Sequence, residues 1–227
     1  MKRTKLADRL LPDYTRGEEI ANMVTHIVGA AFGVTALVLS VVFAAKRGDP
    51  YRVVGSAIYG ASLILLYTMS SVYHGLRPNL GKKVLQVLDH CMIYFLIAGT
   101  SMPIELGPIR EISPAIGWTM FGVVWGLSAL ATVFTAIDHN KYRRFSMICY
   151  IAIGWVVVLA LKTTLQAMTV GGFILLLLGG IAYTIGAVLY NLGKKKKLRY
   201  MHSVFHVFVL MGTALQFIAV FKYCILR

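Results

Sequence analysis

The sequence predicts an all-α membrane protein, a seven-transmembrane-helix bundle whose N-terminus is cytoplasmic and whose C-terminus lies outside. Of its 227 residues, 58% are hydrophobic and only 14% are charged, whereas a soluble domain has about 25% charged residues. The apolar residues form seven blocks, each long enough to cross a bilayer core, which takes about 20 helical residues. This composition excludes a soluble enzyme, a secreted toxin domain and a nucleic-acid-binding module.

The chain divides into a short N-terminal segment and one membrane domain. Residues 1–20 are polar and of mixed charge, which predicts a cytoplasmic N-terminal segment, and residues 21–227 form the seven-helix transmembrane domain. The first apolar block is too long for a signal peptide, so we expect it to stay in the protein and to direct its own insertion. The predicted spans are residues 21–45, 53–76, 84–106, 114–137, 145–161, 165–192 and 200–221.

The basic residues predict the orientation. Of the 23 Lys and Arg residues, five lie in the N-terminal segment, three after span two, three after span four and five after span six, which leaves seven for the opposite side. The positive-inside rule therefore places the N-terminus in the cytoplasm. The net charge of +14 is then explained by topology and by contact with anionic lipids rather than by nucleic acid. The run Lys194–Lys197 could also bind such lipids or a cytosolic partner, but topology alone explains it more simply.

The polar residues inside the spans gather at one depth. Ionisable groups in membrane helices are costly and tend to mark functional sites. With alternating span directions, four spans carry such groups near their cytoplasmic ends. These are Asn22 and His26 in span one, Ser70 and His74 in span two, Asp89 and His90 in span three, and His202 and His206 in span seven.

The spacing of two of these histidines is typical of a metal site. His202 and His206 stand four residues apart, so both imidazoles project from one helix face, about 5–6 Å apart. Such a pair can bind one zinc ion, and His74 could supply a third ligand. Three histidines leave a fourth position for water, the arrangement of catalytic zinc. A structural alternative is that the pair is an interfacial polar face without metal.

The neighbouring polar residues suggest roles around such a metal. Asp89 could orient the water and take its proton as a general base. Ser70, one turn before His74, could hydrogen-bond a ligand, the water or a developing oxyanion. His26 is expected to support the site by hydrogen bonding or to cap the helix. His90 lies about 100° around the helix from Asp89, so Asp89 is the favoured site residue, and His139 is interpreted as a solvated loop residue.

These elements resemble the hemolysin III proteins, the bacterial branch of the progestin and adipoQ receptor (PAQR) superfamily, which is grouped with the alkaline ceramidases. The resemblance covers nearly the whole chain. It rests on Glu18-Glu19 with Asn22 and His26, Ser70-x3-His74, Asp89-His90 and His202-x3-His206, in that order.

The resemblance implies a zinc ion held by His74, His202 and His206. It implies that Asp89 holds the water on the metal and that Ser70 lies nearby. Asn22, Glu19 and His26 are expected to contact the three histidines without binding the metal themselves. Only about twenty residues precede span one, so the hormone-receptor function of the animal relatives is not carried over.

Three functions are compatible with these features. The first is a zinc-dependent hydrolase of a lipid amide or ester in the bacterial cell membrane, with membrane lipids as partners and a lipid as substrate. The second is a cytolysin, as the family name suggests, although a chain so apolar throughout is unlike a toxin that leaves the cell in soluble form. The third is a sensor or regulator of membrane state in which zinc is structural.

Overall fold

The computed structural model describes residues 4–227, and every regular element in that part of the chain is helical. Two π-helical segments, Glu105–Ile109 and Phe221–Ile225, follow the third and the last of the long helices. The long helices are α1 (Arg16–Lys46), α2 (Pro50–Gly75), α3 (Leu80–Ile104), α4 (Pro114–Gly154), α5 (Leu161–Lys195) and α6 (Met201–Val220).

Within residues 4–227, five helical runs are long and apolar enough to cross a membrane: Arg16–Lys46, Pro50–Gly75, Leu80–Ile112, Pro114–Lys195 and Met201–Ile225. The fourth run has 82 residues and contains the predicted spans four, five and six. It is not one straight helix. The backbone leaves helical geometry at Asp138 (φ −158°, ψ 89°) and at Thr169 (φ 60°, ψ 170°), and a 3₁₀ segment, Val156–Ala160, joins α4 to α5.

Side-chain caps fix where the first three helices begin. The Thr15 hydroxyl accepts from the backbone N–H of Glu18, whose carboxylate accepts from the backbone N–H of Thr15, so the two form a capping box. Asp49 and Asn79 are the N-caps of α2 and α3. The side chain of each accepts one hydrogen bond from a backbone N–H of the first turn, without a reciprocal bond. Because of the capping box, α1 begins at Arg16, five residues before the predicted span.

Glycines let α1 and α2 approach closely. A Cβ at Gly29 would lie 2.5 Å from the Tyr67 ring, and one at Gly33 would lie 3.2 Å from the Cβ of Leu63. Gly29 and Gly33 are four residues apart in the sequence, a spacing that places two small residues on one helix face and lets helices approach closely. The similar pair Gly122 and Gly126 behaves differently, because nothing within the described chain lies within 4 Å of a Cβ at either position. Among the described helices, none packs closely against that pair.

An ionic network closes the end of the bundle where α2 begins. The Arg52 side chain is only 5% exposed. Its Nη2 atom donates two hydrogen bonds of 2.8 Å to the Glu111 carboxylate. The Nη1 atom of Arg52 donates to the Cys224 carbonyl. Arg110 donates to Asp49 at 2.9 Å. These bonds tie the start of α2, the segment after α3 and the C-terminal segment together.

The N-terminal segment lies across the opposite end of the bundle. The Arg9 guanidinium donates to the Ile137 carbonyl at 2.7 Å, and the Lys83 ammonium donates to the Ala7 carbonyl. The backbone N–H of Thr4 donates to the Asp138 carboxylate at 3.0 Å. This segment therefore contacts both the start of α3 and the kink of α4.

The interpretation of His139 as a solvated loop residue is wrong. After the kink at Asp138 the chain resumes a helix at once, and His139 is only 4% exposed. Its ring packs 3.8 Å, centroid to centroid, from the ring of His90. The charged loop composition around this position concealed the burial, because Lys141 and Arg144 are exposed while His139 faces inward.

Candidate metal centre

Three histidines meet where α2 ends and α6 begins. The ligand atoms of His74, His202 and His206 lie within 4.8 Å of one another. The Nε2 atoms of His202 and His206 are 3.2 Å apart. His74 and His206 are 2% and 1% exposed, and His202 is partly buried.

Local structure explains how these side chains meet. Tyr200 adopts a left-handed conformation (φ 60°) immediately before α6, which turns the chain so that the helix starts next to α1 and α2. His202 and His206 then project from one face of the first turns of α6. His74 lies in the last turn of α2.

The orientation of His74 is fixed by a carboxylate. Its Nδ1 lies 2.6 Å from a carboxylate oxygen of Glu19, and the second Glu19 oxygen accepts from the Lys82 ammonium at 2.6 Å. The Nδ2 of Asn22 is 3.5 Å from the same His74 nitrogen. With Nδ1 donating to Glu19, the Nε2 atom of His74 carries the lone pair, and among residues 4–227 it has no hydrogen-bond partner.

Residues of α1 fix the orientation of the His206 ring. Its Nδ1 lies 3.2 Å from the Asn22 carbonyl oxygen and 3.2 Å from the Thr25 hydroxyl. The Asn22 side chain is held in turn by the Ser203 hydroxyl, which donates to its oxygen at 2.6 Å. His26 stacks on His206 with ring centroids 3.5 Å apart and an interplanar angle of 10°. His206 therefore also directs Nε2 towards the cluster.

The three histidines could together hold a metal ion. Imidazole ligands at 2.0–2.1 Å in tetrahedral geometry stand about 3.3 Å apart, close to the 3.2 Å between the Nε2 atoms of His202 and His206. The buried, unpartnered Nε2 of His74 needs a hydrogen bond or a metal to offset its burial. A histidine whose other nitrogen donates to a carboxylate, as in the His74–Glu19 pair, is the usual form of a zinc ligand.

A cavity of about 200 Å³ opens beside the histidines in the centre of the bundle. His202 and His206 border it together with Ser70 and Asp89. Ser70 is 1% exposed, and its hydroxyl has no hydrogen-bond partner within the described chain. Asp89 is 8% exposed, and its Oδ2 lies 3.8 Å from Nδ1 of His90, which borders the same cavity.

Tyr14 covers the cluster from the N-terminal segment. Its ring stacks on His202 with centroids 5.3 Å apart and an interplanar angle of 9°, and it lies 6.0 Å from the His74 ring. Burial raises the pKa of the Tyr14 phenol far above its ordinary value, with a further contribution from Tyr190. The phenol therefore stays neutral and closes this side of the cluster.

Sequence reasoning missed three contributors: Tyr14, Thr25 and Lys82. Lys82 was counted only as a loop cation, yet it is 3% exposed and pairs with Glu19. One available signal was the Glu18-Glu19 pair, since an acidic residue at the start of a membrane helix needs a partner. Nothing in the local pattern marks Tyr14 or Thr25, because their contacts depend on how the N-terminal segment and α6 pack.

The fold and the site together define a multi-pass helical membrane protein with a buried three-histidine cluster. Residues 14–217 match the model of the family described as Haemolysin-III related. The chain belongs to this family.

Similar proteins include two from bacilli and one from human. The chain is 36% identical over 212 residues to the Hemolysin-3 homolog of Bacillus subtilis (strain 168), covering 93% of this chain and 97% of that protein. It is 37% identical over 206 residues to Hemolysin-3 of Bacillus cereus, covering 91% of each. It is 27% identical over 217 residues to the human monocyte to macrophage differentiation factor, covering 91% of this chain and 84% of that protein. The last similarity supports placement in the PAQR superfamily, and the family identifies a multi-pass bacterial membrane protein.

Proposed function

We propose that the chain is a zinc-dependent membrane hydrolase that cleaves a lipid amide or ester. The observation that carries this proposal is the cluster of His74, His202 and His206, with its ligand atoms within 4.8 Å of one another, beside a cavity that Asp89 and Ser70 also border. The three histidines would hold the metal, and Glu19 and Asn22 would keep their rings in place.

We also propose that the chain crosses the membrane seven times, with its N-terminus in the cytoplasm. As one straight helix, Pro114–Lys195 would be about 120 Å long at 1.5 Å per residue, about four times the thickness of the bilayer core. Breaks at Asp138 and Thr169, with the 3₁₀ segment Val156–Ala160 between them, divide it into pieces short enough for separate crossings. With three crossings there, the basic residues fall mainly on one side, which supports a cytoplasmic N-terminus.

This topology predicts the labelling of three exposed lysine positions. In a variant in which Cys91, Cys149 and Cys224 are replaced by Ala, single cysteines are introduced as Lys141→Cys, Lys162→Cys or Lys196→Cys. In intact cells we expect a membrane-impermeant maleimide to label only the Lys162→Cys protein. After the membrane is permeabilised all three should react. Labelling of the Lys141→Cys or Lys196→Cys protein in intact cells would contradict the topology.

Zinc bound by three histidines can polarise a carbonyl group and make hydroxide available near neutral pH. Asp89 borders the cavity next to the cluster, where it can accept a proton from the attacking water as the general base. Ser70 has a buried hydroxyl with no partner in the described part of the chain, and this hydroxyl can donate to the oxyanion that forms on the substrate carbonyl. Tyr14 excludes water from the side facing the N-terminal segment.

The cavity favours a lipid substrate. Beyond its polar end it runs between the helices and is bordered by apolar side chains such as Ile93, Leu96 and Ile151. Glu105 also borders it, sixteen residues after Asp89 along the chain, which corresponds to about 24 Å of helix. An extended acyl chain fits a cavity of this length and composition better than a soluble substrate does.

Replacing Asp89 tests the hydrolase directly. The Asp89→Asn variant should hydrolyse a fluorescent acyl amide or acyl ester about 10²–10⁴-fold more slowly, because general-base catalysis is worth that factor. Its zinc content should not change, since Asp89 is outside the three-histidine cluster. Asp13→Asn at an exposed position is the matched control and should keep the wild-type rate. Equal rates for the Asp89→Asn variant and wild type would overturn the proposed mechanism.

Cytolysis is the second candidate function, favoured by the names of the two bacillus relatives. The two functions differ in their dependence on the cluster. Lysis of target cells that persists after all three histidines are replaced by Ala would separate cytolysis from the metal centre. Lysis that disappears with the histidines would make it a consequence of the same site.

A further inference from the structure

Three basic side chains outside the histidine cluster also line the cavity: His90 from α3, and His139 and Arg143 from the second half of α4. They share the cavity with Asp89 and His202. None of the three is part of the cluster that fits zinc.

The kink at Asp138 sets the position of the two α4 residues. Its carboxylate accepts from the backbone N–H of Lys141 at 3.2 Å and from that of Thr4 at 3.0 Å, so it caps the helix that resumes there. His139 and Arg143 are four residues apart and therefore share one helix face. The same face continues along the cavity with Met147 and Tyr150, among others.

These groups have unused capacity to bind an anion. His139 is 4% exposed, and its Nδ1 has no hydrogen-bond partner within residues 4–227. Arg143 lines the cavity, and within the same residues it forms no ion pair and no side-chain hydrogen bond. By contrast, Arg52 and Arg110 at the other end of the bundle are both paired with carboxylates. An unpaired guanidinium and an unpartnered imidazole nitrogen that line the same cavity leave hydrogen-bonding groups free for an anion.

We propose that Arg143 and His139 bind the phosphate of an anionic lipid whose acyl chains lie in the cavity. The planar guanidinium matches phosphate oxygens with two parallel hydrogen bonds, and the free His139 nitrogen can add a third. Apolar residues such as Ile93, Leu96 and Ile151 line the path beyond these groups, so one molecule can satisfy both the donors and the apolar wall. This inference extends the proposed function, because it names phosphate-bearing lipids as the substrate class.

Direct binding measurements test this site without any turnover. The probe is dioctanoyl phosphatidic acid, titrated into the detergent-purified full chain and followed by native mass spectrometry. Arg143→Gln should weaken binding about tenfold or more, the change expected from losing a hydrogen bond between charged groups. Arg144→Gln is the matched control: it removes the same charge from the next residue, which is exposed, and should bind as wild type does.

Two further compounds test whether binding requires the phosphate group, the acyl chains or both. Dioctanoyl glycerol has the same chains without phosphate and should bind at least about tenfold more weakly than phosphatidic acid. Inorganic phosphate alone should not compete at similar concentrations, because it lacks the chains. Competition by inorganic phosphate at equal concentration would overturn the lipid assignment, and equal affinity for the two dioctanoyl ligands would overturn the phosphate site.

A second variant guards against misfolding. If Arg143→Gln does not fold, His139→Gln removes the imidazole at the same site and should also weaken phosphatidic acid binding. Unchanged affinity in either folded variant would overturn the proposal. Zinc binding is measured separately, so failure of the lipid site leaves the metal centre untouched, and failure of the metal centre leaves the lipid site testable.

Discussion

Replacing His202 by Ala is expected to lower the affinity for zinc about a hundredfold or more. Structural zinc in four-ligand zinc-finger peptides binds with about 10–16 kcal/mol, or about 3 kcal/mol for each ligand, and a loss of that size corresponds to about a hundredfold. The Nε2 atom of His202 lies 3.2 Å from that of His206, so the substitution removes one of two ligand atoms that stand side by side. Competition with a chromogenic chelator measures the affinity.

His90→Ala is the matched control for this experiment. His90 borders the same cavity, but its Nδ1 bonds to the Gln86 carbonyl at 2.8 Å and it lies outside the cluster. We expect the control to bind zinc as wild type does. Equal zinc affinities for the His202→Ala variant and wild type would contradict the assignment of the cluster.

Replacing Glu19 by Gln is expected to weaken zinc binding about 10- to 100-fold, because groups that orient a metal ligand usually contribute that much. Glu19 bridges Nδ1 of His74 and the ammonium of Lys82, at 2.6 Å to each. The amide keeps the size of the side chain, but it lacks the charge and one of the two acceptor oxygens. Nδ1 of His74 and the Lys82 ammonium then compete for one uncharged oxygen, which weakens the bond that directs the other nitrogen of His74 to the cluster.

Glu18→Gln separates this effect from a general loss of structure. Glu18 belongs to the capping box of α1 and also accepts from the backbone N–H of Tyr200 at 2.8 Å, but no histidine ring is among its partners. Zinc affinity should therefore fall with Glu19→Gln and stay near wild type with Glu18→Gln. An equal loss in both variants would mean that Glu19 acts through helix α1 rather than through His74.

The parts of this site that sequence could predict are those set by local spacing. His202 and His206 share a face because they are four residues apart, and the polar residues of α1 and α2 fall at one depth because helices of similar length begin or end there. The close approach at Gly29 is likewise a property of helical spacing. These features need only the helix period and the direction of each span.

The parts that could not be predicted depend on packing between distant segments. Lys82 is charged and sits near a helix start, so it reads as a loop cation until α1 brings Glu19 beside it. His139 is flanked by exposed cations, and only the kink at Asp138 turns it inward. Tyr14 reaches His202 because the N-terminal segment crosses the bundle.

The zinc content of the wild-type chain tests the central claim most directly. Elemental analysis of detergent-purified, folded protein should find about one zinc ion per chain, the number that one three-histidine centre holds, and none after both His202 and His206 are replaced by Ala. Folded wild-type protein that contains no zinc and takes up none from solution would contradict the metal centre and the hydrolase built on it.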